Sequence, residues 1–293
     1  MSVHSPAVVG VRLTHGLGNQ MYQYAAGLAL AERLGARLVC DIGHFRRRDR
    51  GDRDLGLGAF GLELPTGHIP PLVPLRHIAM ALGLKYSEFR HCTIFRHIGA
   101  FDPAFDKLTA PVALHGFLQS WRFFEGHEAS VRRAFDTSRL ATGRLAAVSA
   151  EIAAARNPVA VHVRRGDYLK DEETMSLFGI LGADYYRAAR EALEARLDAP
   201  TYFLFSDEID RATAELRDWS GLRPVAGFTG PEDLHLMSLC RHFIIANSTF
   251  SWWGAWLGTA PGKLVVGPHR WFGPAHPFEE NTYDRLLPDW IRV

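Results

Sequence analysis

Two adjacent arginines, Arg164 and Arg165, follow an apolar, partly β-branched run that starts at Val159. A guanidinium group is permanently charged, and its planar fork matches phosphate or carboxylate with two parallel hydrogen bonds. The pair therefore predicts an anion site suited to a diphosphate. The structural alternative is that one arginine forms an internal ion pair with Asp167 while the other is solvated.

Polar residues also follow two other apolar runs. Ser206 and Asp207 come after Thr201–Phe205, and Asn247, Ser248 and Thr249 come after His242–Ala246. Because the carboxyl ends of parallel strands open on one edge of a sheet, all three groups are expected in one crevice. Arginines and a helix N-terminus would bind a diphosphate there, and Asp207 would accept from a base or ribose donor. The alternative is that these short polar side chains cap the helices that follow.

A glycine turn with Gly16, Gly18 and Asn19 lies near the N-terminus, between a strand at Ala7–Leu13 and a helix ending at Leu34. Such a turn lets a ligand approach the backbone, whose N–H groups favour anions and sugar oxygens.

A rival interpretation starts from the same turn. The two glycines, with Asp41 about twenty residues later, partly match a dinucleotide fingerprint. Met21 stands where a small residue should allow close helix packing, which disfavours that interpretation.

The elements that position these residues follow from hydrophobic periodicity. In the second half of the chain, strands alternate with helices of about ten to fourteen residues, the pattern of a doubly wound parallel sheet. The predicted strands are Val159–Val163, Thr201–Phe205, Leu222–Val225, His242–Ala246 and Lys263–Val266. The predicted helices are Asp184–Leu197, Glu208–Trp219, Pro231–Cys240 and Phe250–Gly258.

The first half is predicted to open as a βαβ unit, with a second strand at Arg37–Asp41 and a further strand at Val112–Leu118. A helix is expected over Leu140–Ala155. Asn157-Pro158 breaks it and marks a boundary between an N-terminal domain, 1–156, and a C-terminal domain, 157–293.

Composition excludes several classes of protein. The 293 residues carry a formal net charge of +1, so no overall field recruits nucleic acid or an anionic membrane. Three widely spaced cysteines make neither a disulfide framework nor a zinc pattern, and no signal peptide is visible. A cytoplasmic protein is therefore expected, with peripheral association with the inner membrane left open.

The uncharged stretch Phe243–Gly262 is long enough to mimic a membrane span. Polar residues in its middle, from Asn247 to Ser251, favour strand, polar turn and helix instead. Trp252, Trp253 and Trp256 are expected in the core of that helix. No metal is expected, because there is no His-x-x-x-His spacing and no P-loop.

Four blocks of the chain resemble a known family. They are Gly16-Leu17-Gly18-Asn19-Gln20-Met21-x-Gln23-Tyr24-Ala25, His162-Val163-Arg164-Arg165-Gly166-Asp167-Tyr168, Phe205-Ser206-Asp207 and Asn247-Ser248-Thr249-Phe250-Ser251-Trp252-Trp253-Gly254-Ala255-Trp256-Leu257. In type and order they resemble the signature blocks of the bacterial α-1,2-fucosyltransferases, which are related to the galactoside 2-alpha-L-fucosyltransferases. The resemblance implies an α/β, GT-B-like fold of two Rossmann-like domains facing a central cleft. The N-terminal domain would lie on the acceptor side, and the C-terminal domain would bind GDP-fucose.

The resemblance also implies an activity. It is metal-independent, inverting transfer of L-fucose from GDP-fucose to a glycan hydroxyl, most often the 2-OH of a terminal β-galactose. The partners would be GDP-fucose and a β-galactoside acceptor, with no other cofactor. Two alternatives stay open: a transferase that uses another GDP-sugar or another acceptor position, and a catalytically silent nucleotide- or carbohydrate-binding protein.

Roles for single residues follow from the resemblance alone. Arg164 matches the arginine that contacts the donor diphosphate, and Arg165 supports it. Asn19 matches an amide that faces the fucose from the other domain, and Gly18 beside it is assigned to donor binding. The residues matched to positions lining GDP are His162, Asp207, Asn247, Ser248, Thr249 and Phe250.

The general base is unresolved, with His15, His162 and Asp167 as candidates. His15 also departs from the family pattern, which usually has glycine at that position. Glu208 is a second departure, because aspartate is common there.

Overall fold

The computed structural model describes residues 7–46, 54–69, 92–97, 99–166, 172–277 and 282–293. The chain forms two compact units, Met1–Phe135 and Asp136–Val293. They divide earlier than the predicted boundary after residue 156. The reason is packing: a 3-10 turn at Thr137–Leu140 and a helix at Ala146–Ala154 pack on the helix Gly230–Leu239 of the second unit.

The first unit is built on a parallel sheet. Among its described residues the strands are β1 (Val8–Arg12), β2 (Arg37–Asp41), β3 (Thr93–His97) and β4 (Val112–Gly116). Their order across the sheet is β2-β1-β4-β3, and every pairing is parallel. The chain therefore leaves β1 toward one side and later returns to its other side, which puts the topological switch point between β1 and β4.

Helix α1 (Leu17–Leu34) joins β1 to β2 and is buried along most of its length. Gly35 ends it in the left-handed conformation, with φ +57°, the usual glycine stop of a helix. The predicted βαβ opening is confirmed. After β4 come a 3-10 turn at Trp121–Phe124, whose Phe123 and Phe124 are buried, and helix α2 (Glu128–Ala134).

The second unit is built on a larger parallel sheet. Its strands are β5 (Pro158–Val163), β6 (Thr201–Ser206), β7 (Arg223–Pro224), β8 (His242–Ile244), β9 (Val265–Gly267) and β10 (Ile291–Arg292). Their order is β10-β9-β8-β5-β6-β7, with every pairing parallel. The apolar β5 is central and buried, and the switch point lies between β5 and β8. The predicted α/β class is confirmed, with one Rossmann-like parallel sheet in each unit.

The helices of the second unit are α3 (Ala146–Ala154), α4 (Glu172–Phe178), α5 (Ala183–Glu194), α6 (Ile209–Glu215), α7 (Gly230–Leu239) and α8 (Thr249–Leu257). Three predictions were wrong in extent or type. The helix predicted from Leu140 begins at Ala146, after low-propensity Thr142 and Gly143. The helix predicted to Trp219 ends at Glu215. Helix α4 was not among the predicted helices.

The stretch Phe243–Gly262 forms the predicted strand, polar turn and helix, as β8 and α8. Trp252, Trp253 and Trp256 are buried in the core, as predicted. Across the described ranges, no helix combines the length and the apolar character that crossing a membrane requires.

Candidate functional site

Arg164 lies directly after β5, at the carboxyl edge of the second sheet. Its guanidinium contacts the carboxylate of Asp207, which follows the neighbouring strand β6, with Nη1 and Oδ2 3.0 Å apart. Both side chains keep part of their surface in solvent. The contact confirms that these two strand ends meet. It also leaves a partly exposed cation at the switch point, where open α/β sheets bind ligands.

Asp207 contacts both arginines, Arg164 through its side chain and Arg165 through its backbone. Its Oδ1 accepts a hydrogen bond of 2.9 Å from the backbone N–H of Arg165, while Oδ2 faces Arg164. Glu208, not Asp207, occupies the N-cap position of α6, and its side chain makes no capping hydrogen bond, so the capping alternative for Asp207 is wrong. Asp207 instead orients the guanidinium of Arg164.

Arg165 is buried, with 3% of its surface exposed. Its guanidinium donates to both carboxylate oxygens of Glu215 at 2.5–3.1 Å and to the backbone carbonyls of Arg164 and Leu181. A group with most of its donors used internally positions its neighbour rather than reaching a ligand. The internal ion pair of the structural alternative therefore exists, but with Glu215. Asp167, the other candidate partner, lies outside the described residues.

Gly166 is required by close packing. A Cβ built there would lie 2.4 Å from Oδ2 of Asp207, the oxygen that faces Arg164. Any larger residue would have to displace that carboxylate. The glycine therefore protects the Arg164–Asp207 contact.

His162 is buried at the end of β5, and its ring lies 5.6 Å from the ring of Phe250. Burial lowers its pKa well below the ordinary value, and the charges of Arg164 and Arg165 add to the lowering while Asp207 opposes it. Its Nδ1 has no hydrogen-bond partner among the residues that the structure describes. A neutral, buried imidazole that resists protonation is a poor general base, so the site assigns His162 a lining role.

Asn247 follows β8 and is also buried. Its Nδ2 approaches three carbonyls, those of Phe178 at 2.8 Å, Gly179 at 3.2 Å and Trp271 at 3.1 Å. These contacts tie the end of α4 to the segment at Trp271. Asn247 therefore builds the wall of the site, whereas the resemblance assigned it to GDP.

The turn Ser248-Thr249-Phe250 opens helix α8 beside β5. The Ser248 side chain makes no capping hydrogen bond, so the capping alternative does not hold for it. The ring contact between Phe250 and His162 brings this first turn next to the end of β5. A helix N-terminus beside a partly exposed arginine suits an anion such as a diphosphate.

The first unit brings the glycine turn to its own switch point. Gly18 is buried in the first turn of α1, and the neighbouring Asn19 accepts at Oδ1 a hydrogen bond of 2.6 Å from Nε2 of Gln119, just beyond β4. Sequence reasoning missed Gln119, because a lone glutamine in a loop carries no signal before β1 and β4 are known to be neighbours.

Two buried amides of α1 hold the loop that precedes the helix. Gln20 donates to the carbonyls of His15 and Asp54, at 2.7 and 2.9 Å. Gln23 accepts from the backbone N–H of Thr14 and donates to its hydroxyl, each at 2.8 Å. The Gln-rich start of the helix is thus structural support for the turn.

Asp41, the acidic residue of the dinucleotide interpretation, is buried and engaged. Its carboxylate accepts from Arg12 at 3.1 Å and from the backbone N–H groups of Gly43 and Ile69. It is not disposed to bind a ribose, which counts further against a dinucleotide site.

Glu215 is the main residue of the second unit that sequence reasoning missed. It lies 50 residues from Arg165, at the end of α6. Only the pairing of β5 with β6 brings the helix that follows β6 within reach of the arginine.

Comparisons with known proteins place this chain among glycosyltransferases. The family model described as glycosyl transferase family 11 matches residues 103–293. An alpha-1,2-colitosyltransferase from Escherichia coli is 28% identical over 300 residues, covering 98% of this chain and 99% of the relative. The galactoside alpha-(1,2)-fucosyltransferase 1 of Homo sapiens is 28% identical over 293 residues, covering 94% of this chain and 72% of the relative.

Solved structures show more distant likeness. Fucosyltransferase NodZ from Bradyrhizobium aligns with a TM-score of 0.48 at 15% identity, covering 89% of this chain and 96% of that one. POFUT1 in complex with GDP aligns with a TM-score of 0.40 at 13% identity, covering 91% of this chain and 99% of that one.

Proposed function

Because the chain belongs to glycosyl transferase family 11, we propose that it transfers L-fucose from GDP-fucose to the 2-OH of a terminal β-galactose. Similarity to a galactoside alpha-(1,2)-fucosyltransferase over most of the chain supports the proposal. The donor is the only small molecule besides the acceptor that the reaction requires. In this proposal the enzyme acts in the cytoplasm, where its three buried cysteine thiols stay reduced.

The observation that carries the proposal is Arg164 at the switch point of the second sheet. Asp207 holds its guanidinium at 3.0 Å, and the first turn of α8 lies on the other side of β5. An incoming diphosphate can accept from the guanidinium and from the helix N–H groups together.

The mechanism follows from where charge develops. As the bond between fucose and GDP breaks, negative charge grows on the leaving diphosphate and positive charge on the sugar ring. Protein hydrogen-bond donors held in place against the diphosphate then stabilise the transition state more than the ground state. Arg164 supplies such a donor, and the pairing of the buried Arg165 with Glu215 fixes the backbone from which it extends.

The base that removes the proton of the acceptor hydroxyl comes from a short set of candidates. The depressed pKa of His162 makes it a weak base, which leaves His15 and Asp167. A strongly dissociative transition state needs little help from a base, because the sugar cation itself makes the attacking hydroxyl acidic.

A second candidate donor is a colitose nucleotide, favoured by the similarity to an alpha-1,2-colitosyltransferase. Colitose lacks one hydroxyl of fucose, so the choice depends on whether this site binds that hydroxyl. A site that hydrogen-bonds a substrate hydroxyl rejects the analogue without it by roughly 10⁴-fold or more.

The test compares turnover of GDP-fucose and GDP-colitose, each with and without lactose as acceptor, and solves the product linkage by NMR. We expect slow GDP release from GDP-fucose alone, faster release with lactose, and an α-1,2 linkage in the product. Arg164→Ala serves as the inactive control. Tight GDP-fucose binding by calorimetry with no release of GDP under any condition would show a silent binding protein instead.

A further inference from the structure

A row of aromatic rings lies at the carboxyl edge of the first unit's sheet. His15 follows β1, His44 and Phe45 follow β2, and Phe117 follows β4. The ring of His15 lies between two others, stacked on His44 at 5.4 Å and tilted against Phe117 at 4.9 Å. Phe45 extends the row by an edge contact with His44 at 5.1 Å. We call these four side chains the ring cluster.

The ring cluster spans the switch point of the first sheet. The contact between His15 and Phe117 joins the loop after β1 to the loop after β4, the two strands between which the strand order reverses. The hydrogen bond between Asn19 and Gln119 joins the same two loops. A crevice at this position is where a parallel α/β sheet binds its ligand.

Strained backbone holds the rings in place. His15 has φ +63° and Leu118 has φ +53°, in the left-handed region that is unfavourable for residues other than glycine. Leu118 is fully buried, whereas its neighbour Phe117 leaves 43% of its surface in solvent. Strain that presents a large apolar ring to solvent is the pattern of a binding site rather than of a core.

Polar groups beside the rings are fixed as well. The carboxylate of Asp41 accepts from the N–H of Gly43, which anchors the loop carrying His44. The amides of Asn19 and Gln119 hold each other at 2.6 Å. Rings and amides together provide what a sugar needs: a flat apolar surface for its C–H face and hydrogen-bonding groups for its hydroxyls.

We propose that the ring cluster binds one pyranose ring of the acceptor glycan, with the C–H face of the sugar on Phe117 and His15. This inference rests on the proposed function and assigns the acceptor side of the reaction to named residues. A nucleotide fits less well, because the cationic side chain at the end of β1, Arg12, is held by Asp41 at 3.1 Å.

The first test is Phe117→Ala, with Tyr283→Ala as the matched control. Tyr283 is a 66% exposed aromatic residue of the second unit, outside the ring cluster. We expect the KM for lactose to rise roughly tenfold in the Phe117 variant, about the value of one aromatic contact, with donor hydrolysis unchanged. The Tyr283 variant should match the wild type in both measurements.

The second test is His15→Gly, which separates a binding role from a structural one. Glycine relieves the strain at φ +63°, so the melting temperature should stay the same or rise. If the ring only stabilised the fold, its removal would lower the melting temperature. If His15 were the general base, its loss would lower kcat at saturating acceptor. If it belongs to a binding surface, its loss raises the KM for the acceptor.

Saturation-transfer NMR with lactose, N-acetyllactosamine and galacto-N-biose, in the presence of GDP, measures sugar binding without turnover. Saturation of sugar protons by the wild type, weakened in the Phe117 and His15 variants, supports the inference. It does so even if no GDP-sugar is turned over, because the absence of turnover would refute only the proposed function. Normal transfer with an unchanged acceptor KM in both variants overturns the inference and leaves the function standing. Saturation of none of the three sugars also overturns it.

Discussion

At the level of single residues, the adjacent Arg164 and Arg165 have different roles because their partners differ. Arg164 faces Asp207 and stays partly exposed, whereas Arg165 is enclosed by Glu215 and backbone carbonyls. A chemically identical pair is thus divided into one side chain that can reach a ligand and one that fixes the backbone beneath it.

Arg164→Lys keeps the positive charge and removes the planar fork. A lysine cannot reproduce two parallel hydrogen bonds to a diphosphate, so we expect turnover to fall by roughly 10²–10³. The melting temperature should change little, because the residue is partly exposed. The measurements are steady-state kinetics and thermal unfolding, with the surface residue Arg156→Lys as control. A destabilised variant with full turnover would make Arg164 structural.

Glu215→Ala leaves the buried guanidinium of Arg165 without its carboxylate. We expect a loss of about 1.5–3 kcal/mol in the free energy of unfolding, the range for hydrogen bonds to charged groups. Glu151→Ala, which breaks the exposed pair with Arg223, should cost less than about 1 kcal/mol. Urea titration measures both.

The stability difference between the wild type and Glu215→Ala should depend on pH. Hydrogen bonds from Arg165 lower the pKa of Glu215 below its ordinary value of 4.5. The stabilisation is therefore fully present above pH 4.5 and is lost as the pH falls through the folded-state pKa. The stability difference between wild type and Glu215→Ala should shrink on acidification; a difference independent of pH would show that the charge is not involved.

At the scale of elements, the site is made by strand ends and by the segments that tie them together. The predicted edge of β5, β6 and β8 exists, but Asn247 at the end of β8 turns its amide to three backbone carbonyls. It thereby joins α4, which the sequence did not predict, to the segment at Trp271.

Asn247→Asp replaces the donor with a carboxylate that faces those carbonyls. We expect a loss of at least about 2 kcal/mol in the free energy of unfolding, because buried acceptors are left unpaired beside a charge. Asn157→Asp is the control, since the Asn157 side chain donates to the Asp198 carbonyl in an exposed position. An unchanged melting temperature with weakened GDP binding would return Asn247 to the nucleotide-contact role that the resemblance implies.

At the scale of the whole molecule, each parallel sheet places chemistry of a different kind at its switch point. The second sheet carries an arginine, a carboxylate and a helix N-terminus. The first carries rings and amides. This division suits a reaction between a charged nucleotide-sugar and a neutral glycan.

We predict that transfer persists in excess EDTA, because arginine and helix N–H groups meet the charge of the diphosphate. The sequence does contain an Asp-x-Asp pattern that could hold a divalent ion, Asp52-Arg53-Asp54, in a charged stretch that is predicted from sequence to be a loop. Asp52→Asn together with Asp54→Asn should therefore leave activity unchanged. A metal bound by Asp52 and Asp54 would be shown by three results together: EDTA abolishes activity, manganese restores it, and the double variant is inactive.

The α/β class, most of the strands and the three polar strand ends could be predicted from the sequence because they depend on local patterns. Alternating apolar runs define β5, β6 and β8, and parallel strands open on one edge whatever their loops contain. Local propensity failed where tertiary contacts decide, as at α4 and at the early end of α6.

The sequence by itself thus determined that an arginine pair, a carboxylate and a polar turn meet at one sheet edge. Only the tertiary structure decided which arginine remains accessible, because Glu215 lies 50 residues from Arg165 and reaches it through the pairing of β5 with β6. Likewise, nothing near His15 in sequence shows that it lies in the left-handed region against Phe117. Contacts between residues far apart along the chain have no local signature, since they form only when the strand order brings their loops together.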